Sequence, residues 1–142
     1  MELDSIYTET IIEHSNSTRN KRKLENPSIA LDGKNPSCGD EIRLELLVED
    51  GIVADAAFTG IGCAISQAST SIMIDLIRGK SVEEAGRLSD LFIGMIRKKV
   101  TSDEELEPLE EAAVLKNISN MPARVKCATM PWHTLEHAIK SL

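Results

Sequence analysis

The chain has 142 residues, 42% of them apolar and only 3% aromatic, and a formal net charge of -7 with a pI near 5.0. That length suits a single domain over residues 1–142, with a core of aliphatic and Met side chains and no need of disulfide staples. The acidic balance argues against a nucleic-acid partner, because displacing counterions from phosphates takes a basic face.

The first residues, Met1-Glu2-Leu3-Asp4, have neither the basic nor the apolar region of a secretory signal, and no apolar run approaches the ~18 residues of a membrane span. A cytoplasmic protein with reduced thiols and no membrane partner is expected. Cys38, Cys63 and Cys127 are the three cysteines. An odd number in the cytosol favours metal binding, redox work or plain burial over a disulfide framework. Two basic clusters, Arg19/Lys21/Arg22/Lys23 and Arg97-Lys98-Lys99, read as solvated surface, with docking of an acidic partner as the other reading.

In chain order, Leu3, Ile6, Tyr7, Thr10, Ile11 and His14 recur at helical spacing, so an amphipathic helix is predicted from an Asp4 cap to about Asn16, with His14 a packed structural residue. Residues 17–28 form a polar connector. Ile29-Ala30-Leu31 reads as a short edge strand, followed by turns at Asp32-Gly33 and Asn35-Pro36. From Glu41 the period becomes two, with Ile42, Leu44, Leu46 and Val48 alternating, and Asp50-Gly51 is a type I′ hairpin signal before a returning strand over 52–59. The open end of this hairpin carries Cys38-Gly39-Asp40 before its first strand and Gly60-Ile61-Gly62-Cys63 after its second, so the two cysteines are expected at the same end.

A helix with Ile65, Ala68, Ile72 and Leu76 on one face follows, ended by Gly79. It places Cys63 at a helix N-terminus, where the positive dipole end favours a thiolate. Its small-residue run, Ser66 to Ser71, permits close packing on the sheet. Ser81/Glu84 and Ser102/Glu105 are capping boxes of two further helices, the second broken or kinked by Pro108. Acidic residues from Asp103 to Glu111 read as a solvated face. Val125, Ala128, Trp132, Leu135 and Ile139 mark a last helix. Pro131 suggests that it starts near Cys127 or at Met130, with Cys127 at a helix start either way.

Three thiols and a carboxylate, Cys38, Asp40, Cys63 and Cys127, would suit tetrahedral Zn²⁺. The spacing matches no C-x-x-C pair, so spacing alone leaves metal binding and inert buried cysteines both open. The motifs add to this. Asn35-Pro36-x-Cys38-Gly39-Asp40, Gly62-Cys63-Ala64-Ile65-Ser66-x-Ala68-Ser69-x-Ser71 and Arg124-Val125-Lys126-Cys127-Ala128-Thr129-Met130-x-Trp132 resemble the U-type iron–sulfur cluster assembly proteins, from Tyr7 to Ile139. Lys126 stands where the IscU scaffold branch has a histidine, and the Gly79–Cys127 interval is long, so the chain resembles the SufU branch more closely. The family often has Asn-Pro-Arg-Asn after the first helix. Here the stretch is Asn16-Ser17-Thr18-Arg19-Asn20, which leaves the local turn open.

The resemblance implies an α+β fold, a small antiparallel sheet packed against several helices, and the activity of a zinc-dependent sulfurtransferase. It implies that Cys38 accepts persulfide sulfur from a PLP-dependent cysteine desulfurase of the SufS type. Asp40, Cys63 and Cys127 would hold Zn²⁺ with Cys38, and sulfur would pass to a SufBCD-like cluster-assembly complex. Arg124, one helical turn from Cys127, would offset the negative charge of this ligand set or hold the freed carboxylate by a bidentate contact, with an ordinary surface charge as the other reading. The alternative is an IscU-type scaffold on which the same residues hold a transient [2Fe–2S] cluster.

Overall fold

A meander of three antiparallel strands sets the position of everything else. The computed structural model describes residues 2–142, with side chains from Glu9 onward. Helix α1 spans Glu2–Asn16. It begins ahead of the expected Asp4, and the side chains of Leu3, Asp4, Ile6 and Tyr7 lie outside those described. Strands β1 (Ile29–Asn35), β2 (Asp40–Glu49) and β3 (Ile52–Ile61) form one sheet in the order β1-β2-β3. The period-two pattern does what it predicts in β2: Ile42, Leu44 and Leu46 are buried while Glu41 and Arg43 face water. The tight turn is at Asp50-Gly51, both at positive φ (53° and 75°), as a type I′ hairpin requires.

β1 is longer than its apolar core suggests. Asp32-Gly33, expected as a turn, runs on as strand, with Asp32 opposite Arg43 and Gly33 opposite Ile42. The chain reverses instead between Asn35 and Asp40, where the Cys38 amide donates to the Asn35 carbonyl at 3.1 Å. Gly33 is required by close approach. A Cβ there would meet Thr134 Oγ1 at 2.1 Å, because β1 lies directly against the last helix.

Helices α2 (Ala64–Ile77), α3 (Val82–Ile96), α4 (Asp103–Leu106) and α5 (Pro122–Lys140) follow, with a 3₁₀ segment over Glu107–Asn120 between the last two. The serine half of each predicted capping box forms: Ser81 Oγ accepts from the Glu84 amide at 3.1 Å and Ser102 Oγ from that of Glu105 at 3.5 Å. Pro108 ends α4 as expected, and Glu110 at φ 50° kinks the 3₁₀ segment. The serines of α2 do more than permit close packing on the sheet, for α2 packs chiefly on α1 and α5. Ser69 Oγ donates to the Ala128 carbonyl at 2.6 Å and accepts from the Trp132 indole at 2.9 Å. Trp132, fully buried, stacks on Phe92 with ring centroids 4.1 Å apart, an arrangement worth about 0.5–1.5 kcal/mol beyond the area buried.

The turn after α1 is set by Arg19 and Asn20. Asn20 is fully buried, and its amide nitrogen donates to Ser71 and Asp75 of α2. His14 is a packed residue as expected, with Nδ1 3.1 Å from Ser71 Oγ and Nε2 2.8 Å from Glu111 Oε1.

Candidate metal centre

The β1–β2 turn, the end of β3 and the middle of α5 meet at one end of the sheet. Cys38 sits half-buried on the turn, beside Gly39 at φ 70°. Asp40 opens β2 and is only 2% exposed. β3 ends at Ile61, paired with Glu41, so Gly62 and Cys63 arrive next to Asp40. Gly62 is there for room: a Cβ would meet Asp40 Oδ1 at 2.6 Å and Ser66 Oγ at 2.4 Å. Cys63 is the N-cap of α2, as its sequence context predicts, and its amide donates to Asp40 Oδ1 at 2.8 Å.

Cys127 corrects one expectation. It does not lie at a helix start. α5 begins at Pro122, with that proline in its first turn, and continues through Pro131. Cys127 therefore stands within the helix, fully buried and held by the packing of its neighbours Ala128 and Trp132. Two carbonyls of α5 near the internal proline also accept from side chains on other helices, Ala128 from Ser69 at 2.6 Å and Trp132 from Ser89 at 3.1 Å, while the carbonyl that Pro131 deprives of its helical donor is that of Cys127.

The sulfurs of Cys38 and Cys127 are 2.8 Å apart, and with a carboxylate oxygen of Asp40 they form a group whose ligating atoms all lie within 4.8 Å of one another. Cys63 is outside that group of three. It nevertheless faces Cys127 closely enough that its thiol, like that of Cys38, helps raise the Cys127 pKa. Burial is the largest cause of that rise, followed by the two thiols and the Asp40 charge. Arg124, exposed at the mouth of the site, has its pKa raised by hydrogen bonding to Cys127 and then by the charges of Cys63 and Cys127.

Two sulfurs and a carboxylate crowded together, with a third thiol alongside, form an electron-rich cluster that a divalent cation would neutralise. The donor set fits Zn²⁺, and it equally fits iron held by thiolates.

Asn35 is a member of this site that spacing and residue type did not single out. It is 4% exposed, and its amide nitrogen lies 3.4 Å from Asp40 Oδ2 and 3.6 Å from Cys127 Sγ. Its signals in the sequence are its place in the Asn-Pro turn and at the head of the Cys38 motif, neither of which shows it as a donor aimed at two of the candidate ligands.

Comparison with known proteins bears on the fold and the family. A family model described as the NifU-like N-terminal domain matches residues 6–142. The iron–sulfur cluster assembly scaffold protein IscU of Thermotoga maritima and the zinc-dependent sulfurtransferase SufU of Bacillus subtilis are each 42% identical over 137 residues, covering 96% of this chain and 94% and 91% of theirs. A solved structure from Fervidobacterium islandicum AW-1, described as an iron–sulfur cluster assembly scaffold for the SUF system, superposes with a TM-score of 0.85 at 39% identity, over 95% of this chain and 97% of that one. The N-terminal NifU-like protein of Brucella abortus, at 20% identity and a TM-score of 0.81 over 99% of this chain and 96% of its own, shares the fold. The α+β architecture, the matched residues and the identity along nearly the whole length agree: this chain belongs to the NifU-like N-terminal domain family of iron–sulfur cluster assembly proteins, alongside IscU and SufU.

Proposed function

We propose that this chain is a cytoplasmic zinc-dependent sulfurtransferase, taking persulfide sulfur from a PLP-dependent cysteine desulfurase of the SufS type and passing it to a SufBCD-like assembly complex. The observation that carries this reading is the convergence of Cys38, Asp40 and Cys127 within 4.8 Å, with one of the three, Cys38, on a turn rather than inside a packed element. The 42% identity to a relative named a zinc-dependent sulfurtransferase supports it, as does Lys126 directly before Cys127.

Asp40, Cys63 and Cys127 are the residues that would hold Zn²⁺, with Cys38 completing the set. When bound, the ion keeps thiols deprotonated at neutral pH and brings no redox chemistry of its own. Cys38 is the donor free to leave. Its neighbour Gly39 has φ 70°, and its contact with the Ala123 carbonyl is loose at 4.0 Å. The Cys38 thiolate attacks the outer sulfur of the donor's cysteine persulfide. A new S–S bond forms to Cys38, the donor's S–S bond breaks, and the donor cysteine departs as a thiolate, so electrons and charge balance. Arg124 faces the negative charge that remains at the mouth of the site.

The test is metal analysis of the purified protein together with its effect on cysteine turnover by a desulfurase. Near-stoichiometric zinc and a clear stimulation, lost in Cys38→Ser, are expected. A protein that fails to stimulate would end the proposal.

The second reading is a scaffold that builds a [2Fe–2S] cluster on the same four residues. The equal identity to a relative named IscU favours it. A brown protein that hands its cluster to an apo-acceptor would select this reading instead.

A further inference from the structure

We propose that the groove between β1 and α5 is a docking site for an acidic, extended segment of a partner protein. The groove has a volume of about 640 Å³, and Asn35, Pro36 and Ser37 close one end of it, so it runs up to the turn that carries Cys38. Nothing in its chemistry depends on which metal the thiols hold.

The charge of the groove is opposite to that of the chain. The molecule carries -7 overall, yet the groove is lined by Lys34, Arg97 and Lys126 against a single carboxylate, Asp32. These cations come from three different elements: β1, the C-terminal cap of α3, and α5. Only the folded chain brings them together. Asp32 lies 3.6 Å from Arg43, and Lys34 has a loose, solvent-exposed contact with Glu41 at 3.7 Å. Among the described residues no ion pair engages Arg97 or Lys126. His133, whose Nδ1 lies 3.6 Å from Glu136 Oε1, and His137 also line it along α5. Arg97, the first residue of a basic run that the sequence alone reads as surface, thus lines a concave site.

The floor is suited to side chains rather than to bulk solvent. Met130, Thr129 and Thr134 are buried at 5–7% exposure. The two threonine hydroxyls donate back to α5 carbonyls, at 3.0 Å to Val125 and 2.9 Å to Met130. Their hydrogen bonding is satisfied within the helix, so what the floor presents is mainly methyl, thioether and Val125 surface. The opposite wall is β1, an outer strand of the sheet, whose extended backbone from Asp32 to Asn35 is the shape against which another extended chain lies. Apolar floor, cationic rim and strand edge together select an extended segment with alternating acidic and aliphatic residues. A partner held there would have its body over Cys38.

The probe is a fluorescein-labelled peptide, Glu-Val-Glu-Leu-Glu-Val-Glu, titrated by fluorescence anisotropy against the full, metal-loaded chain, with the Gln-for-Glu peptide as control. Saturable binding is expected at about 50 mM salt, weakened severalfold at about 300 mM. The Gln peptide and the Lys34→Glu/Arg97→Glu variant should each bind at least about tenfold more weakly, with circular dichroism, melting temperature and metal content of the variant unchanged. Amide shifts in NMR should cluster at Lys34, Thr129 and His133. The proposal is overturned by an absence of saturation up to about 1 mM peptide. It is equally overturned by equal affinity in the variant, or by shifts centred on Arg19–Lys23. Sedimentation decides the other occupant: a dimer of the unmodified chain that the variant loses would assign the groove to the acidic 103–111 run of a second copy, and would also overturn the proposal.

Discussion

Two polar clusters are buried or half-buried in this fold, and they are built on opposite principles. Around Asn20, three guanidinium groups meet two carboxylates. Arg22 and Arg78 bind Asp55 at 2.8 and 3.1 Å, Arg19 and Arg78 bind Asp75, and Arg78 also donates to Asn20 Oδ1 at 2.7 Å. Donors meet acceptors and charges offset, so this network ties the connector after α1 to α2 and β3. Around Cys127 the groups are all of one kind. Two thiols and a carboxylate converge within 4.8 Å with the Cys63 thiol alongside, and the cation that faces them, Arg124, is exposed at the rim. A satisfied network needs nothing further. A crowd of like groups held together by the fold is what a bound cation would complete, and the proposed metal site rests on that contrast.

The sharpest way to break this comparison is to remove one member of each cluster. Cys127→Ala should reduce bound metal from near-stoichiometric to trace and cut desulfurase stimulation by about a hundredfold or more, because a closed ligand set rarely survives loss of a buried thiolate. Metal analysis and the stimulation assay check this. If the variant kept its metal and lost only stability, the thiol cluster would be structural, like the Asn20 network. Asn20→Ala should do the reverse. Leaving Ser71, Asp75 and Arg78 without their partner should cost about 2–3 kcal/mol and roughly 6–12 °C in Tm, with transfer per folded molecule unchanged. Thermal melts alongside activity at a low temperature separate the two effects.

The same contrast explains what could be read from the sequence. The β2–β3 hairpin was legible because alternation and an Asp-Gly turn are local signals, and the turn dihedrals are those the residues prefer. Cys63 was placed correctly for the same reason: glycines, a cysteine and a helical stripe follow one another directly. The sequence misplaces Cys127 because Pro131 is a strong local signal for a helix start, while the burial of Ala128 and Trp132 that overrules it comes from packing against distant parts of the chain. The sequence marks Gly33 as a turn for a related reason. Its need for close approach to Thr134 has no local signature. Asn35 and the cationic groove escaped because each depends on residues that only the folded chain brings side by side.

Asn35 sharpens the comparison within the site itself, since it gives the thiol cluster one satisfied contact of the kind that fills the Asn20 network. Asn35→Ala should leave the ligands in place but unsteadied, lowering metal affinity by about tenfold and the melting temperature of the loaded protein only by the few degrees that the lost binding energy carries. Competition with a chelator, and the ligand-to-metal absorption of the Co²⁺ form, would read the change. Affinity equal to that of the unmodified chain would make Asn35 a turn residue only.

The smallest expected effect lies in the balanced network, and it carries a sign. The Asp55 carboxyl titrates below its ordinary value of 3.8, chiefly through its hydrogen bond with Arg22 and against the opposing effect of burial. A carboxyl whose pKa is lower in the folded than in the unfolded chain stabilises the fold above the unfolded value, and that contribution is lost as pH falls through the lowered folded value. Asp55→Asn should therefore be less stable than the unmodified chain at pH 7 in urea unfolding. The gap should persist down to about pH 5 and narrow progressively below about pH 4. A gap that stayed constant to about pH 3 would mean that Asp55 contributes through packing or a neutral hydrogen bond. The balance of charges around Asn20 would then owe its strength to Asp75 and the three arginines alone.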